Sequence, residues 1–176
     1  DVTIEIAGNI AEYRDPETGW HIKRTQNFVK SLAILMRSDS HSDLIFDDNY
    51  IELLVKSAPL HDIGKVGIPD HILLKPGKLS PNEFELMKLH TVYGRNIIAA
   101  SEQHLGTNSF LSLAREIAYS HHEKWDGSGY PEGLKGSMIP FSGRLMALAD
   151  VYDALTSKRV YKDAFSHDKA INIIKD

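Results

Sequence analysis

Apolar residues recur along this chain at three- and four-residue intervals, and nowhere does the two-residue alternation of a half-buried strand persist. That period predicts an all-helical fold. Val2 to Tyr13 places Ile6 and Ile10 four apart and stops at the turn signal Asp15-Pro16. A longer helix starts near Gly19, with His21 and Thr25 early and Ile22, Val29, Leu32, Leu35 and Met36 along one side. Asp39 to Asp43 reads as a polar loop. Asp47 or Asp48 can cap the next helix, whose stripe of Tyr50, Ile51, Leu54, Val55 and Ala58 runs toward His61 and Asp62, where Pro59 and Gly64 disturb it.

Gly67 to Gly77, holding Pro69 and Pro76, predicts an irregular connector. Ser80-Pro81-Asn82-Glu83 is a helix start: the serine caps, the proline suits the first helical position and the glutamate completes a capping box. That helix carries Phe84, Met87, His90, Gly94, Ile97 and Ile98. After a break near Gly106 to Ser109, another holds Phe110, Leu113, Ala114, Ile117 and Ala118 and ends at His121-His122, followed by a glycine-rich loop from Asp126 to Gly136. A helix from about Ser142 to Ser157 contains Asp150 and Asp153, and Ser166 caps a last one. With no repeat, linker or low-complexity tract, the 176 residues read as one domain, 1–176, excised from a longer chain whose C-terminal tail is missing.

The chain has nine histidines and no cysteine. Thiolate zinc sites, iron–sulfur clusters, disulfides and cysteine nucleophiles are therefore excluded, and any metal must be held by nitrogen and oxygen. The same absence fits a reducing, cytoplasmic compartment. No apolar run approaches the roughly 20 residues of a membrane helix. A net charge of −4 without a basic run argues against DNA or RNA as partner.

His61-Asp62 alone is a weak signal, but an apolar helix delivering both to a Pro- and Gly-disturbed end sets two hard ligands beside a cavity. Lys65 follows four residues after the histidine. Adjacent residues on a regular helix point about 100° apart, so His121 and His122 share a site only at a helix end or between two ions. His90 on its apolar stripe reads, taken alone, as a hydrogen-bonded core residue. Asp150, among Leu148, Ala149 and Val151, needs a cation, either a metal or an arginine such as Arg144. Glu17 and His21 have the i, i+4 spacing of two ligands on one helix face, a pattern equally natural at a polar helix start. These five imidazoles and three carboxylates exceed what one ion needs. They suit two or three divalent first-row ions, with iron or manganese the best fit to mixed nitrogen and oxygen donors and zinc, nickel, cobalt or magnesium as alternatives.

His61-Asp62-Ile63-Gly64-Lys65, His121-His122-Glu123, Asp126-Gly127, Gly129-Tyr130-Pro131 and the run from Ala149 to Ser157 occur in order. Through them the chain closely resembles the HD-GYP domain family, a branch of the HD phosphohydrolases, over Asp15 to Lys162. The resemblance implies a single HD-domain helical bundle with a metal centre in its core. It also implies a metal-dependent phosphodiesterase that opens cyclic di-GMP to linear pGpG, GMP or both, by hydroxide generated from water at the metals. By position it assigns His61, Asp62, His90, His121, His122 and Asp150 to the metals, with Asp62 bridging, and Glu17 and His21 to a third ion. Asp62 and Lys65 become the catalytic pair, and Lys65, Arg159, Lys162 and Tyr130 the substrate contacts. Val160 departs from the proline common in relatives. The Gly129-Tyr130-Pro131 loop is implied to shape the pocket and to dock a diguanylate cyclase or adaptor, and a homodimer is a further expectation.

A phosphodiesterase for mixed cyclic GMP–AMP or another nucleotide stays open as an alternative, as does a non-catalytic cyclic-dinucleotide sensor. Asp153, Arg144 and Glu123 are expected to support the site, Arg144 through an ion pair with an acidic site residue, while Trp125 and Tyr130 are expected to pack beneath the loop, with stacking on a guanine as the alternative. His41, His71, His104 and His167 match no motif. Setting aside Glu17, Asp62 and Asp150 leaves 21 acids against 20 basic residues, a balance of −1, so the net charge does not bear on a small phosphodiester bound at metals.

Overall fold

Helical turns close wherever the sequence period predicts them. A computed structural model describes residues 2–13, 20–38, 47–105, 110–158 and 163–175. Among the described residues it contains eight α-helices, three short 3-10 turns and no strand. The helices are α1 (Val2–Tyr13), α2 (His21–Ser38), α3 (Asp48–Ser57), α4 (Asp70–Leu73), α5 (Pro81–Leu105), α6 (Phe110–Ser120), α7 (Phe141–Thr156) and α8 (His167–Lys175).

Their ends follow from local chemistry. Asp47 caps α3, its carboxylate accepting from the Tyr50 amide at 2.7 Å. At α5 the Ser80 amide donates to Glu83 Oε2 at 2.7 Å while the Glu83 amide donates to Ser80 Oγ at 3.4 Å, which is the reciprocal capping box. Ser166 Oγ accepts from the Lys169 amide at the start of α8. One expectation is corrected: the connector after Gly67 contains the single turn α4, preceded by Pro69, whose ring holds φ at −60°, and Ile72 is buried there. The breaks at Asp39 to Asp43 and at Gly106 to Ser109 lie outside the described residues, apart from the end of α5 at Leu105.

A helix of ten residues such as α3 is marginal alone, since isolated helices need about 12–15 residues or more. Packing supplies the rest. Ile51, Leu54 and Ala58 join Val29 and Ala33 of α2, Ile117 of α6, and Leu145, Met146 and Ala149 of α7 in one buried cluster. A second cluster, Leu60, Ile98, Leu111, Ala114 and Ala118, is flanked by Ile4 and Ala7 of α1. Fully burying each large aliphatic side chain is worth about 1.5–3 kcal/mol. The helices α2, α3, α5 and α6 thus pack around the segment that follows α3, and α1 lies across it.

That segment breaks from α-helix into 3-10 turns at Ala58–Leu60 and Ile63–Gly67. Gly64 lets the second turn touch α5: a Cβ there would lie 1.9 Å from the His90 carbonyl oxygen and 2.4 Å from the Gly94 nitrogen. Only a residue without a side chain permits this approach, and it brings Asp62 against His90. No described helix is long and apolar enough to cross a membrane.

Candidate metal centre

Five helical elements each deliver one part of a buried polar cluster. His21 is the first residue of α2, His61 and Asp62 sit between the two 3-10 turns, His90 is inside α5, His121 and His122 follow the last residue of α6, and Asp150 is in α7. The helix end expected at His121-His122 is present, so both adjacent rings reach one place, with centroids 4.1 Å apart.

Potential ligand atoms form two groups. Asp62, His90, His121 and His122 make one, and His21, His61 and Asp150 the other, with atoms in each group lying within 4.8 Å of one another. Asp62 faces both. Its Oδ1 is 3.3 Å from His90 Nε2 and 3.6 Å from His121 Nε2, while its Oδ2 is 3.3 Å from His61 Nε2. Asp62 thus offers one oxygen to each group.

The imidazoles are oriented before any ion binds. His61 Nδ1 lies 2.9 Å from the Ala58 carbonyl, His90 Nδ1 2.7 Å from that of Met87, and His121 Nδ1 3.0 Å from that of Ile117. A carbonyl only accepts, so each Nδ1 carries the proton and, in the neutral ring, each Nε2 presents a lone pair to the cluster. Asp62 Oδ1, His90 Nε2 and His121 Nε2 are buried with no hydrogen-bond partner. Three buried acceptors meeting without a donor are costly unless a cation sits among them. In the other group His21 Nε2 stands 3.4 Å from His61 Nε2 and 3.5 Å from Asp150 Oδ1. The donor set fits divalent metal, with nitrogen and carboxylate oxygen as its chemistry.

The local charges divide the rings: His90 and His122 are kept neutral, whereas His61 is held as the cation and would give up its Nε2 proton to an ion. Burial opposes ionisation of Asp62, yet Lys65 and His61 outweigh it and hold the carboxyl well below the usual range. Burial lowers His90 to about 4 and pushes His122 well below the ordinary imidazole value, keeping both rings neutral. At His61 burial also opposes the cation, but Asp62 and Asp150 prevail and raise it to about 9. Lys65 Nζ lies 2.8 Å from Asp62 Oδ2. Tyr130 stacks on His122, centroids 4.8 Å apart at 30°, and walls the cluster on that side. A groove of about 780 Å³ adjoins it, lined by His121, His122, Trp125, Phe141, Arg144 and Val151 among others.

Of the residues expected at the site, His21, His61, Asp62, Lys65, His90, His121, His122, Tyr130 and Asp150 are brought together. Glu17, Arg159 and Lys162 lie outside the described residues. His90 is buried and hydrogen-bonded to Met87, as its apolar stripe suggested, and its Nε2 is left without a hydrogen-bond partner beside Asp62. Arg144 is also corrected: its guanidinium lies over Phe141 and Trp125, 5.5 and 5.8 Å from the ring centroids, with no carboxylate partner among the described residues. Asp150 meets His21 instead. Trp125 is 64% exposed, so it covers the rim and does not pack beneath the loop. Glu123 holds that loop by accepting from the Glu132 and Leu134 amides at 2.8 and 2.9 Å. His167 Nδ1 lies 2.9 Å from the Tyr152 hydroxyl, and His71 is exposed, so neither belongs to the site.

Arg24 went unnoticed in the sequence. It binds Asp153 through Nε and Nη2 at 2.5 and 2.9 Å, and Asp153 in turn holds His21 Nδ1 at 2.8 Å. The available signal was a matched pair of i, i+3 spacings, His21 with Arg24 and Asp150 with Asp153, on two helices that pack together.

Comparison with known proteins agrees with the geometry. A family model described as HD domain matches residues 15–176. A cyclic di-GMP phosphodiesterase of Vibrio cholerae serotype O1 is 61% identical over 174 residues, covering 99% of this chain and 35% of that protein. One of the same description from Thermotoga maritima is 43% identical over 98% of this chain and 43% of its own length. A 3′3′-cGAMP-specific phosphodiesterase 2 of Vibrio cholerae is 45% identical over 92% of this chain and 28% of its own. The chain thus spans between a quarter and a half of the length of these relatives. With a family model matching nearly its whole length and the separated motifs converging on one buried centre, the chain belongs to the HD domain family, in its HD-GYP branch.

Proposed function

We propose that this domain is a metal-dependent phosphodiesterase that hydrolyses cyclic di-GMP to pGpG, GMP or both. One observation carries the reading: Asp62 turns one oxygen to each of two ligand groups, so that two ions would sit side by side across a single carboxylate. Divalent ions held there supply Lewis-acid stabilisation of a phosphoryl group and acidify water. The chain's own residues supply the rest. Backbone carbonyls hold three of the imidazoles in register, and Lys65 adds a positive charge where negative charge develops on the phosphate. Tyr130 confines the side next to His122 and offers a ring edge to the nucleotide.

Iron or manganese is the preferred ion, given nitrogen and oxygen donors without thiolate. Glu17 adds a carboxylate for a third ion together with His21, and Arg159 and Lys162 take the outer phosphates. We assign the metals to Glu17, His21, His61, Asp62, His90, His121, His122 and Asp150. A cytoplasmic setting, docking of a diguanylate cyclase at the Gly129-Tyr130-Pro131 loop, and a homodimer belong to the same reading. Incubating anaerobically prepared, metal-loaded protein with cyclic di-GMP and following the nucleotides tests it. Linear dinucleotide or GMP is expected, and no product with either iron or manganese bound refutes the reading.

A second substrate, mixed cyclic GMP–AMP, is favoured by one observation, the relative described as 3′3′-cGAMP-specific that shares 45% identity over 92% of this chain. Side-by-side turnover of the two cyclic dinucleotides separates the readings.

A further inference from the structure

The candidate ligand imidazoles are not all held in the same way. His61, His90 and His121 each give Nδ1–H to a backbone carbonyl three or four residues earlier in the chain. His21, the first residue of α2, is held from another helix. Its Nδ1 lies 2.8 Å from Asp153 Oδ2, a carboxylate 132 residues away on α7. Asp153 is 2% exposed, and the buried charge is met by a fork of Arg24, Nε to Oδ1 and Nη2 to Oδ2, with Ser157 Oγ also donating to Oδ1 at 3.2 Å.

We propose that Asp153, clamped by Arg24, is a positioning residue that aims His21 Nε2 and thereby sets metal occupancy of the His21, His61 and Asp150 group separately from the Asp62, His90, His121 and His122 group. The stereochemistry demands a carboxylate. Arg24 Nε and Ser157 Oγ point at one oxygen, Arg24 Nη2 and His21 Nδ1 at the other. An amide offers one acceptor and turns a donor toward either the guanidinium or the imidazole, so Asp153→Asn keeps the volume and loses one of the two contacts. A carboxylate on Nδ1–H also makes Nε2 a better donor to metal, and removing such a partner typically weakens metal binding about 10–100-fold. Nothing in the first group touches Asp153, so its ions stay.

This inference rests on the metal centre of the proposed function and is indifferent to which nucleotide is cleaved. Apoprotein is titrated with Co2+ while its visible absorption is followed, for wild type, Asp153→Asn and Arg24→Gln. Wild type is expected to fill two spectroscopically distinct loci. Asp153→Asn should retain one of them unchanged and bind at the other about 10–100-fold more weakly. Arg24→Gln should weaken the same locus, and should add little in the Asp153→Asn background because it acts through that residue. Unchanged affinity at both loci, or equal loss at both, overturns the positioning role. Should Asp153→Asn fail to fold by circular dichroism, the same criteria apply to Arg24→Gln, whose side chain is 32% exposed. A wild-type protein that takes up no Co2+ overturns the metal centre itself, and the positioning role with it.

Discussion

The two ligand groups share one plan at His61, His90 and His121, whose rings are held by nearby carbonyls, and part from it at His21. Around Asp62 Oδ1 the rings of His90 and His121 are aimed by carbonyls of their own helices, so residues close in sequence set their direction. Around His21 the aim comes from α7 and the guanidinium of Arg24, a contact that exists only once α2 and α7 have packed. The first plan is rigid as soon as its helix forms. The second depends on tertiary structure, so the two loci should differ in how readily they are emptied by changes outside the ligand set.

Asp62 belongs to both plans, and its removal should erase the contrast. Asp62→Ala is expected to empty both groups and to lower phosphodiester hydrolysis by roughly 10³-fold or more, the loss of several kcal/mol of Lewis-acid stabilisation. Elemental analysis beside a turnover assay checks it, and full metal content in the variant would sink the bridging assignment.

Lys65→Ala should keep the contrast and remove only charge. A loss of about 10²–10³ in turnover is expected, the usual cost of deleting one electrostatic donor to a developing anion, with metal content unchanged. Metal lost in proportion to activity would make Lys65 structural instead.

Gly64→Ala attacks the first plan through its scaffold. The new Cβ would overlap the His90 carbonyl oxygen, 1.9 Å away, and must push the 3-10 turn off α5. Overpacking of this kind costs about 1–3 kcal/mol, readable as a lower urea midpoint. Metal should be lost first from the group containing His90.

The smallest effect is a control remote from both groups. Glu83 closes the capping box of α5 and is held at about 2 chiefly by Lys75 and then by the Ser80 amide. Its folded value lies below the unfolded one, so its contribution is present above about pH 4.5 and disappears as the pH falls toward 2. Glu83→Gln should therefore lower the urea midpoint slightly at neutral pH, converge with wild type near pH 2, and leave metal stoichiometry alone. A persistent difference at the acid end would remove the cap as its cause.

Local rules were legible in the sequence. The helix stripes, the Ser80 to Glu83 box and the Asp47 cap depend on residues within one or two turns, and the structure contains them. The motif pairs His61-Asp62 and His121-His122 were legible for the same reason, since neighbours in sequence stay neighbours in space. The apolar stripe of His90 says only that the residue is buried, which it is; that Asp62 lies opposite its Nε2 is decided by another element. The ion pair expected for Arg144 failed, as spacing cannot tell a carboxylate from the faces of Phe141 and Trp125.

Period and motif by themselves determined an all-helical chain with nitrogen and oxygen donors for divalent metal. Tertiary packing alone decided that Asp62 splits its oxygens between two groups, that Gly64 lets a 3-10 turn press on α5, and that Asp153 reaches His21 with Arg24 behind it. Periodicity assigns a side chain to a face, whereas metal chemistry depends on distances between faces, and those are set by how closely the helices approach.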